Sequence, residues 1–140
     1  MTQDDAVVVA QVPFAHVHQT WPQVEKFFAA VAPHSGGDFT LEQMRGKVCT
    51  NEWALITVTC NHEIIGMVTV TYINKLNHRV AFIPALGGRG ITNEDNWVAL
   101  KAIFARNGAT YVEAAMRPAT LRLWQQLGFV EKYRIAGVSL

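Results

Sequence analysis

Cysteine is scarce in this sequence. Of the 140 residues only Cys49 and Cys60 are cysteines, which is too few for a disulfide framework, and the pair lacks the spacing of metal ligands. We therefore expect no metal site and a reducing, cytoplasmic setting for the chain.

Net charge and long apolar runs are lacking too. The formal net charge is +1, so the chain as a whole has no strong attraction for nucleic acid or for a membrane surface. No apolar run is long enough to span a bilayer. The stretch 1–12 is acidic where a secretory signal carries basic residues. We expect no nucleic-acid partner, no membrane association and no export.

The charges that are present divide unevenly along the chain. Residues 1–74 hold three basic and seven acidic side chains, a balance of −4, whereas residues 75–140 hold nine and four, a balance of +5. If the chain has an anion site, the second half is therefore where it is expected. A chance distribution of surface charges is the alternative interpretation.

Half of the residues are hydrophobic and 16% are charged, which is the composition of a globular protein. The length suits one domain, residues 1–140, and no repeat or low-complexity linker divides it. Hydrophobic periodicity predicts elements in the order β-α-α-β-β-β-α-β-α-β. The strands are expected at 6–12, 53–60, 64–73, 79–86, 110–116 and, as one or two segments, within 129–140; the helices are expected at 16–32, 41–48, 93–107 and 118–127.

Helix boundaries have their own signals. Pro22 and Pro118 suit the first turns of their helices, Thr40 suits an N-cap, and Gly108 suits the position just after a helix C-terminus. The unit formed by strand 79–86, helix 93–107 and strand 110–116 predicts a right-handed crossover between parallel strands, after an antiparallel meander. The expected fold class is α/β (α+β), with a mixed, mostly antiparallel central sheet and helices on both faces.

A glycine-rich loop, "LGGRGIT" at residues 86–92, joins that strand to that helix. Backbone N–H groups near a helix N-terminus have no intrahelical partner, and with the helix dipole they attract anions. Glycine lets the backbone approach a pyrophosphate closely, and Arg89 adds a cation. The loop matches neither common nucleotide-binding glycine motif, and a plain turn is the alternative.

Three segments together resemble the GNAT superfamily of acyl-CoA N-acyltransferases: "GGRGIT", "ARNGATYVEAAM" and "RPATLRLWQQLGF". The resemblance covers residues 50–140 well, and the earlier part only by element order. It implies a parallel strand pair that splays to hold acetyl-CoA as co-substrate. Pantetheine would pair with the backbone of residues 81–86, where Pro84 predicts a bulge or a local end of strand pairing. The cofactor contacts implied are Phe82, Ile83, Gly87, Gly88, Arg89, Gly90, Ile91, Thr92, Arg117 and Trp124.

The sequence departs from the family pattern at four of these positions. Gly87 stands in place of Arg or Gln, Thr92 in place of a small residue, and Arg117 in place of a frequent asparagine. Trp124 stands where a tyrosine often protonates the departing thiolate, and an indole cannot act as that acid.

Three residues are candidates for catalysis. Glu113 is expected on one face of its strand, where the family often places a base. His78 is the second candidate base, because histidine side chains change charge near neutral pH. Tyr111, or Tyr133, is the candidate replacement for the missing acid. Solvated or ion-paired surface roles are the alternatives for all of them.

The resemblance leaves two main functions open, with regulatory binding of CoA as a third. The first is an N-acyltransferase that moves an acetyl (acyl) group from acyl-CoA to a small amine or a protein amine by direct attack. The alternative is a non-catalytic structural or interaction protein, similar to the GNAT-like chains that short-tailed phages encode among virion and assembly genes. That function implies protein partners or a homo-oligomer, and location in a virion.

Overall fold

The computed structural model describes residues 6–140, which form one mixed sheet covered by helices. The strands are β1 (Val7–Gln11), β2 (Ala54–Cys60), β3 (Glu63–Asn74), β4 (Arg79–Ile83), β5 (Leu86–Gly88) and β6 (Tyr111–Ala114). The helices are α1 (Val17–Val31), α2 (Leu41–Cys49), α3 (Glu94–Arg106) and α4 (Pro118–Trp124), and short 3₁₀ turns flank α1 and follow α4.

The sheet runs in the order β1-β2-β3-β4-β6, and β5 pairs with β3. All pairs are antiparallel except β4 with β6, which is parallel over Val80↔Tyr111 to Ile83↔Ala114. Because α3 lies between these two strands in the sequence, the predicted parallel pair with a helical connection is confirmed, and so is the expected fold class.

Alternation along the strands sends neighbouring side chains to opposite cores. On β2, Leu55 packs with α1 and α2, whereas Ile56 packs with α3 and the Trp124 side chain. On β3, Met67 and Val68 divide in the same way. The central strands are therefore buried on both faces, which explains why they are almost continuously apolar in sequence.

Most of the predicted helix boundaries are confirmed. Thr40 accepts the Gln43 amide and the Gln43 side chain accepts the Thr40 amide, so a capping box begins α2. Pro118 begins α4. Gly108 (φ 84°) and Gly128 (φ 99°) follow the helical segments in the left-handed conformation that glycine adopts at little cost.

Three sequence predictions are corrected. Pro22 is the sixth residue of α1 and lies beyond its first turn, because the helix begins at Val17, directly after a 3₁₀ turn at Phe14–His16. Pro22 therefore leaves the His18 carbonyl without its regular donor. The predicted strand 79–86 is divided into β4 and β5. Residues 129–140 form no strand, because a segment becomes a strand only where a neighbouring backbone completes the ladder. In the described part of the chain, no helix is long and apolar enough to cross a membrane.

Candidate functional site

The parallel strands β4 and β6 separate where the chain after β4 reaches Pro84. Thr71 of β3 pairs with Phe82 of β4, and Val68 of β3 pairs with Leu86 of β5. The first strand advances by three residues between these pairs and the other side by four, so one extra residue lies between β4 and β5, as in a β-bulge. β5 stays on β3, whereas the chain after β6 turns into α4. Among residues 6–140, β5 has no strand on its other side. We call the space between β5 and residues 115–117 the wedge.

The strand pairing of β4 corrects the prediction that the backbone of Phe82 and Ile83 contacts the cofactor. β4 has β3 on one edge and β6 on the other through Ile83, so residues 81–83 cannot also form a ladder with an extended ligand. The available edge lies at residues 84–88. The Ile83 side chain is buried in the α3 core, whereas Phe82 is partly exposed on the opposite face, beside Glu113.

The glycines at the start of the loop are required by packing. Gly88 (φ 79°) lies so close to β3 and α1 that a Cβ atom there would stand 2.6 Å from the Gly66 Cα and 2.9 Å from a Phe27 ring carbon. A Cβ at Gly87 would meet the Phe27 Cβ at 3.2 Å. The Arg89 amide donates to the Ile65 carbonyl at 2.9 Å. The Arg89 amide, in the loop that is expected to bind an anion, is therefore already hydrogen-bonded within the protein.

The remaining part of the loop keeps unused donors. Among the hydrogen bonds of residues 6–140, none has the amide of Gly90, Ile91 or Thr92 as its donor. The N-terminus of α3 itself is capped from within, since the Asn93 side chain accepts the amides of Asp95 and Asn96. The anion cradle expected at residues 88–92 is thus reduced to three consecutive amides with the exposed Arg89 beside them.

Arg117 and Trp124, the two predicted cofactor contacts at α4, have different environments. Arg117 is the exposed N-cap residue, and its side chain makes no capping hydrogen bond. Trp124 is 1% exposed and packs edge-on against Trp97, 5.7 Å away between ring centroids, and Phe129, 5.0 Å away. Trp124 therefore belongs to the core beneath the wedge. The buried Trp97 Nε1 has no hydrogen-bond partner among the described residues.

Glu113 stands at the centre of an ion-paired cluster. On β6 it lies opposite Phe82, one register step before the strands part. Its Oε1 accepts from Lys75 Nζ at 3.2 Å and its Oε2 accepts from Lys132 Nζ. The hydrogen bond from Lys132, with help from Lys75, holds the pKa of the Glu113 carboxyl below its usual range against the opposing effect of burial. A carboxylate with a lowered pKa is a weaker base than the base role of Glu113 requires.

The other two catalytic candidates lie next to this cluster. The exposed His78 ring stacks on Tyr111 with centroids 4.9 Å apart, and its Nδ1 lies 3.0 Å from Thr110 Oγ1. The structure therefore brings Glu113, His78 and Tyr111 to one end of the sheet. The contacts of Lys75 and Lys132 with Glu113 were not predicted from the sequence. Lys75 is 38 positions and Lys132 is 19 positions away from Glu113 in the chain, and no local sequence pattern indicates contacts over such separations.

A cavity of about 840 Å³ lies along the outer edge of β6. Its walls come from β6, from α4 and from residues 127–135, with Phe82 and Trp97 completing them; no residue of the glycine loop lines it. Among residues 6–140, no group of three His, Cys, Asp or Glu side chains is placed to hold a metal ion.

Comparison with solved structures decides the fold. Aminoglycoside N-acetyltransferase AAC(6')-Iy, solved in complex with CoA, superposes with a TM-score of 0.70 at 12% identity, over 100% of this chain and 98% of that one. The chain has the GNAT fold. An aminoglycoside acetyltransferase, meta-AAC0020, from an uncultured soil metagenomic sample and solved with sisomicin, shares the GNAT fold at a TM-score of 0.68 and 12% identity, over 96% and 95% of the chains. A Trypanosoma brucei acetyltransferase gives 0.65 at 10% identity, over 96% and 100%.

No protein-family model and no curated protein matches the sequence. The GNAT fold is thus recognised from the arrangement of elements. At these identities the likeness extends to the fold and leaves the chemistry of the chain to its own residues.

Proposed function

We propose that this chain is an acyl-CoA-dependent N-acyltransferase that transfers an acetyl group from CoA to an amine. The observation that carries the proposal is the wedge. A strand that leaves its parallel neighbour at Pro84 exposes the edge of β5 directly before three unpaired amides. Support also comes from full-length similarity to an acetyltransferase solved with CoA.

In this proposal, different parts of the chain bind the pantetheine and the phosphates of the cofactor. The backbone of residues 84–88 offers hydrogen bonds to an extended pantetheine chain, in the way that an open sheet edge accepts a peptide. The amides of Gly90, Ile91 and Thr92 and the Arg89 guanidinium bind the phosphates, since successive amides form an anion-binding concavity. The acidic side chains of Glu94 and Asp95 lie in the next turn and weaken this attraction.

The reaction proceeds by direct attack. The amine nitrogen forms a bond to the thioester carbonyl carbon, the C–S bond breaks, and the thiolate takes up the proton that the amine loses. Trp124 supplies no proton because its indole is not acidic and is buried. Tyr111 and Tyr133, which line the cavity, are the candidate acids, and His78 is the candidate base.

Binding of acetyl-CoA tests the proposal most directly. With ligand at a hundredfold excess over its dissociation constant, we expect about 2.7 kcal/mol of stabilisation, seen as a rise in the melting temperature of several degrees. Release of free thiol in the presence of a panel of primary amines then reports turnover. Unchanged melting and unchanged tryptophan fluorescence at millimolar acetyl-CoA would rule the enzyme out.

That negative result would direct attention to the alternative, a non-catalytic GNAT-fold interaction protein. No contact or surface described above favours a phage origin or a virion location. The alternative then requires a stable complex with protein partners or with further copies of the chain, which size-exclusion chromatography with light scattering measures.

A further inference from the structure

The surroundings of the Lys132 ammonium are those of a bound organic cation. Its Nζ donates to Glu113 Oε2 and stands 4.9 Å above the centre of the Tyr111 ring and 5.9 Å from the centre of the Tyr133 ring. A carboxylate beside the faces of aromatic rings is the combination that recognises alkylammonium groups. The Glu113 side chain is 14% exposed, so this recognition is partly shielded from water.

The segment that delivers Lys132 is held weakly. Residues 130–140 make no backbone hydrogen bond with the rest of the described chain, and the last such bond runs from the Phe129 amide to the Trp124 carbonyl. Beyond Phe129 the recorded polar contacts are an exposed pair between Glu131 and Arg134, within the segment, and the contact of Lys132 with Glu113. A group attached in this way is displaceable, because holding a segment in one conformation has an entropic cost that its release recovers.

A second lysine stabilises the carboxylate when the first departs. Lys75 Nζ contacts the other oxygen of Glu113 at 3.2 Å. Lys75 lies in a turn that a backbone hydrogen bond closes, since the Lys75 amide donates to the His78 carbonyl at 2.8 Å. Glu113 therefore remains ion-paired while the place of Lys132 is vacated.

The location of this cluster connects it to acyl transfer. Glu113 is paired with Phe82, and the parallel ladder ends at the next pair, Ile83 with Ala114. At about 3.3 Å per residue, the carboxylate-bearing residue lies within about 7 Å along the strand of the opening of the wedge. The adjoining cavity of about 840 Å³ has room for the rest of an acceptor molecule.

We propose that Glu113, with the Tyr111 and Tyr133 rings, forms the binding subsite for a primary alkylammonium acceptor, and that Lys132 occupies this subsite from within the chain until the acceptor displaces it. The assignment to an acceptor rests on the proposed acyltransferase function. Glu113 is then a binding residue for the ammonium, in place of the base that the sequence predicted.

Calorimetric titration of the full chain with n-pentylamine and with spermidine, in the absence of acetyl-CoA, tests the subsite by itself. Lys132→Met removes the internal competitor, so its affinity for both amines should be several-fold tighter than that of the unmodified chain. Lys132→Arg keeps a cation there and should retain the weaker affinity. Glu113→Gln should abolish amine binding. Lys47→Met, which removes an exposed lysine from a separate pair with Glu52, is the matched control and should change nothing.

Separate measurement of acetyl-CoA binding keeps this proposal distinct from the proposed function. If acetyl-CoA binds but amine affinity is the same in Lys132→Met, Glu113→Gln and Lys47→Met, the subsite is refuted and the acyltransferase proposal stands. If the amines behave as expected but acetyl-CoA does not bind, the ammonium subsite stands without the transfer reaction. Titration with glutarate covers the remaining case, since binding of the dianion that depends on Lys75 and Lys132 would make the cluster an anion site and overturn the proposal.

Discussion

At the scale of single residues, glycine in the loop has a structural explanation as well as a functional one. Gly88 and Gly37 both have a positive φ, at 79° and 84°. A Cβ atom at Gly37 would meet nothing within 4 Å, whereas one at Gly88 would overlap the backbone of β3 and approach the Phe27 ring. The two positions therefore separate the cost of a left-handed backbone from the cost of crowding.

We predict that Gly37→Ala lowers the free energy of unfolding by about 1–2 kcal/mol, the cost of a left-handed alanine. Gly88→Ala should lower it by about 3 kcal/mol or more, because β5 must also move away from β3. Urea denaturation with equal m-values in both variants measures the difference. Equal losses in the two variants would show that β5 is not packed as tightly as the crowding at Gly88 requires.

The candidate site was predictable from sequence only in part, and the reason lies with individual residues. Glu113 follows from strand alternation, and the three amides at Gly90–Thr92 follow from the position of the loop before a helix. Lys75 and Lys132 contact Glu113 from a turn and from a segment without regular structure. No periodicity encodes such contacts, because they depend on how distant segments pack together.

At the scale of elements, Pro84 and the C-terminal segment show what local patterns omit. The run 79–86 has the composition of one strand, yet it forms two, since Pro84 has no N–H to donate and the register gains a residue there. Residues 129–140 are predicted to form one or two strand segments, yet Val130, Ile135 and Val138 are each more than 70% exposed. Whether an extended segment becomes a strand depends on a partner edge that lies elsewhere in the chain.

Limited proteolysis should detect this difference between elements. Trypsin is expected to cut first after Lys132 and Arg134, because residues 130–140 make no backbone hydrogen bonds with the rest of the described chain and local opening there costs little free energy. Lys101 and Arg106 in α3 are the internal comparison, since cleavage there requires the helix to unfold. Mass spectrometry of early fragments measures the order. Early cleavage in α3 with an intact C-terminal segment would contradict the described weak attachment.

At the scale of the whole molecule, the basic half of the sequence folds into the elements around the wedge. The sequence stretch with a balance of +5, residues 75–140, contains β4, β5, β6, α3 and α4, which surround the wedge. Within residues 1–74, helices α1 and α2 carry two acidic and three basic side chains, so the acidic excess of that stretch does not lie on these two helices. An anionic cofactor is therefore attracted towards the side that carries the three unpaired amides.

The dependence of cofactor affinity on salt measures this attraction. We predict that the affinity for acetyl-CoA falls several-fold when KCl is raised from about 50 mM to about 500 mM, since added ions screen exposed charges. The affinity for S-acetylpantetheine, which lacks the phosphates, should hardly change. Arg89→Ala should weaken acetyl-CoA binding by about tenfold, the worth of one charge-assisted hydrogen bond, and should flatten the salt dependence.

Arg106→Ala provides the matched control for Arg89→Ala. Arg106 is also exposed, but it ends α3, about 18 Å from the start of the helix at 1.5 Å per residue, so its removal changes the net charge equally without touching the loop. If both arginine variants weaken acetyl-CoA binding to the same extent, the attraction belongs to the overall field of the basic side. A loss confined to Arg89→Ala locates the phosphates at residues 89–92, because only a nearby charge distinguishes two variants of identical net charge.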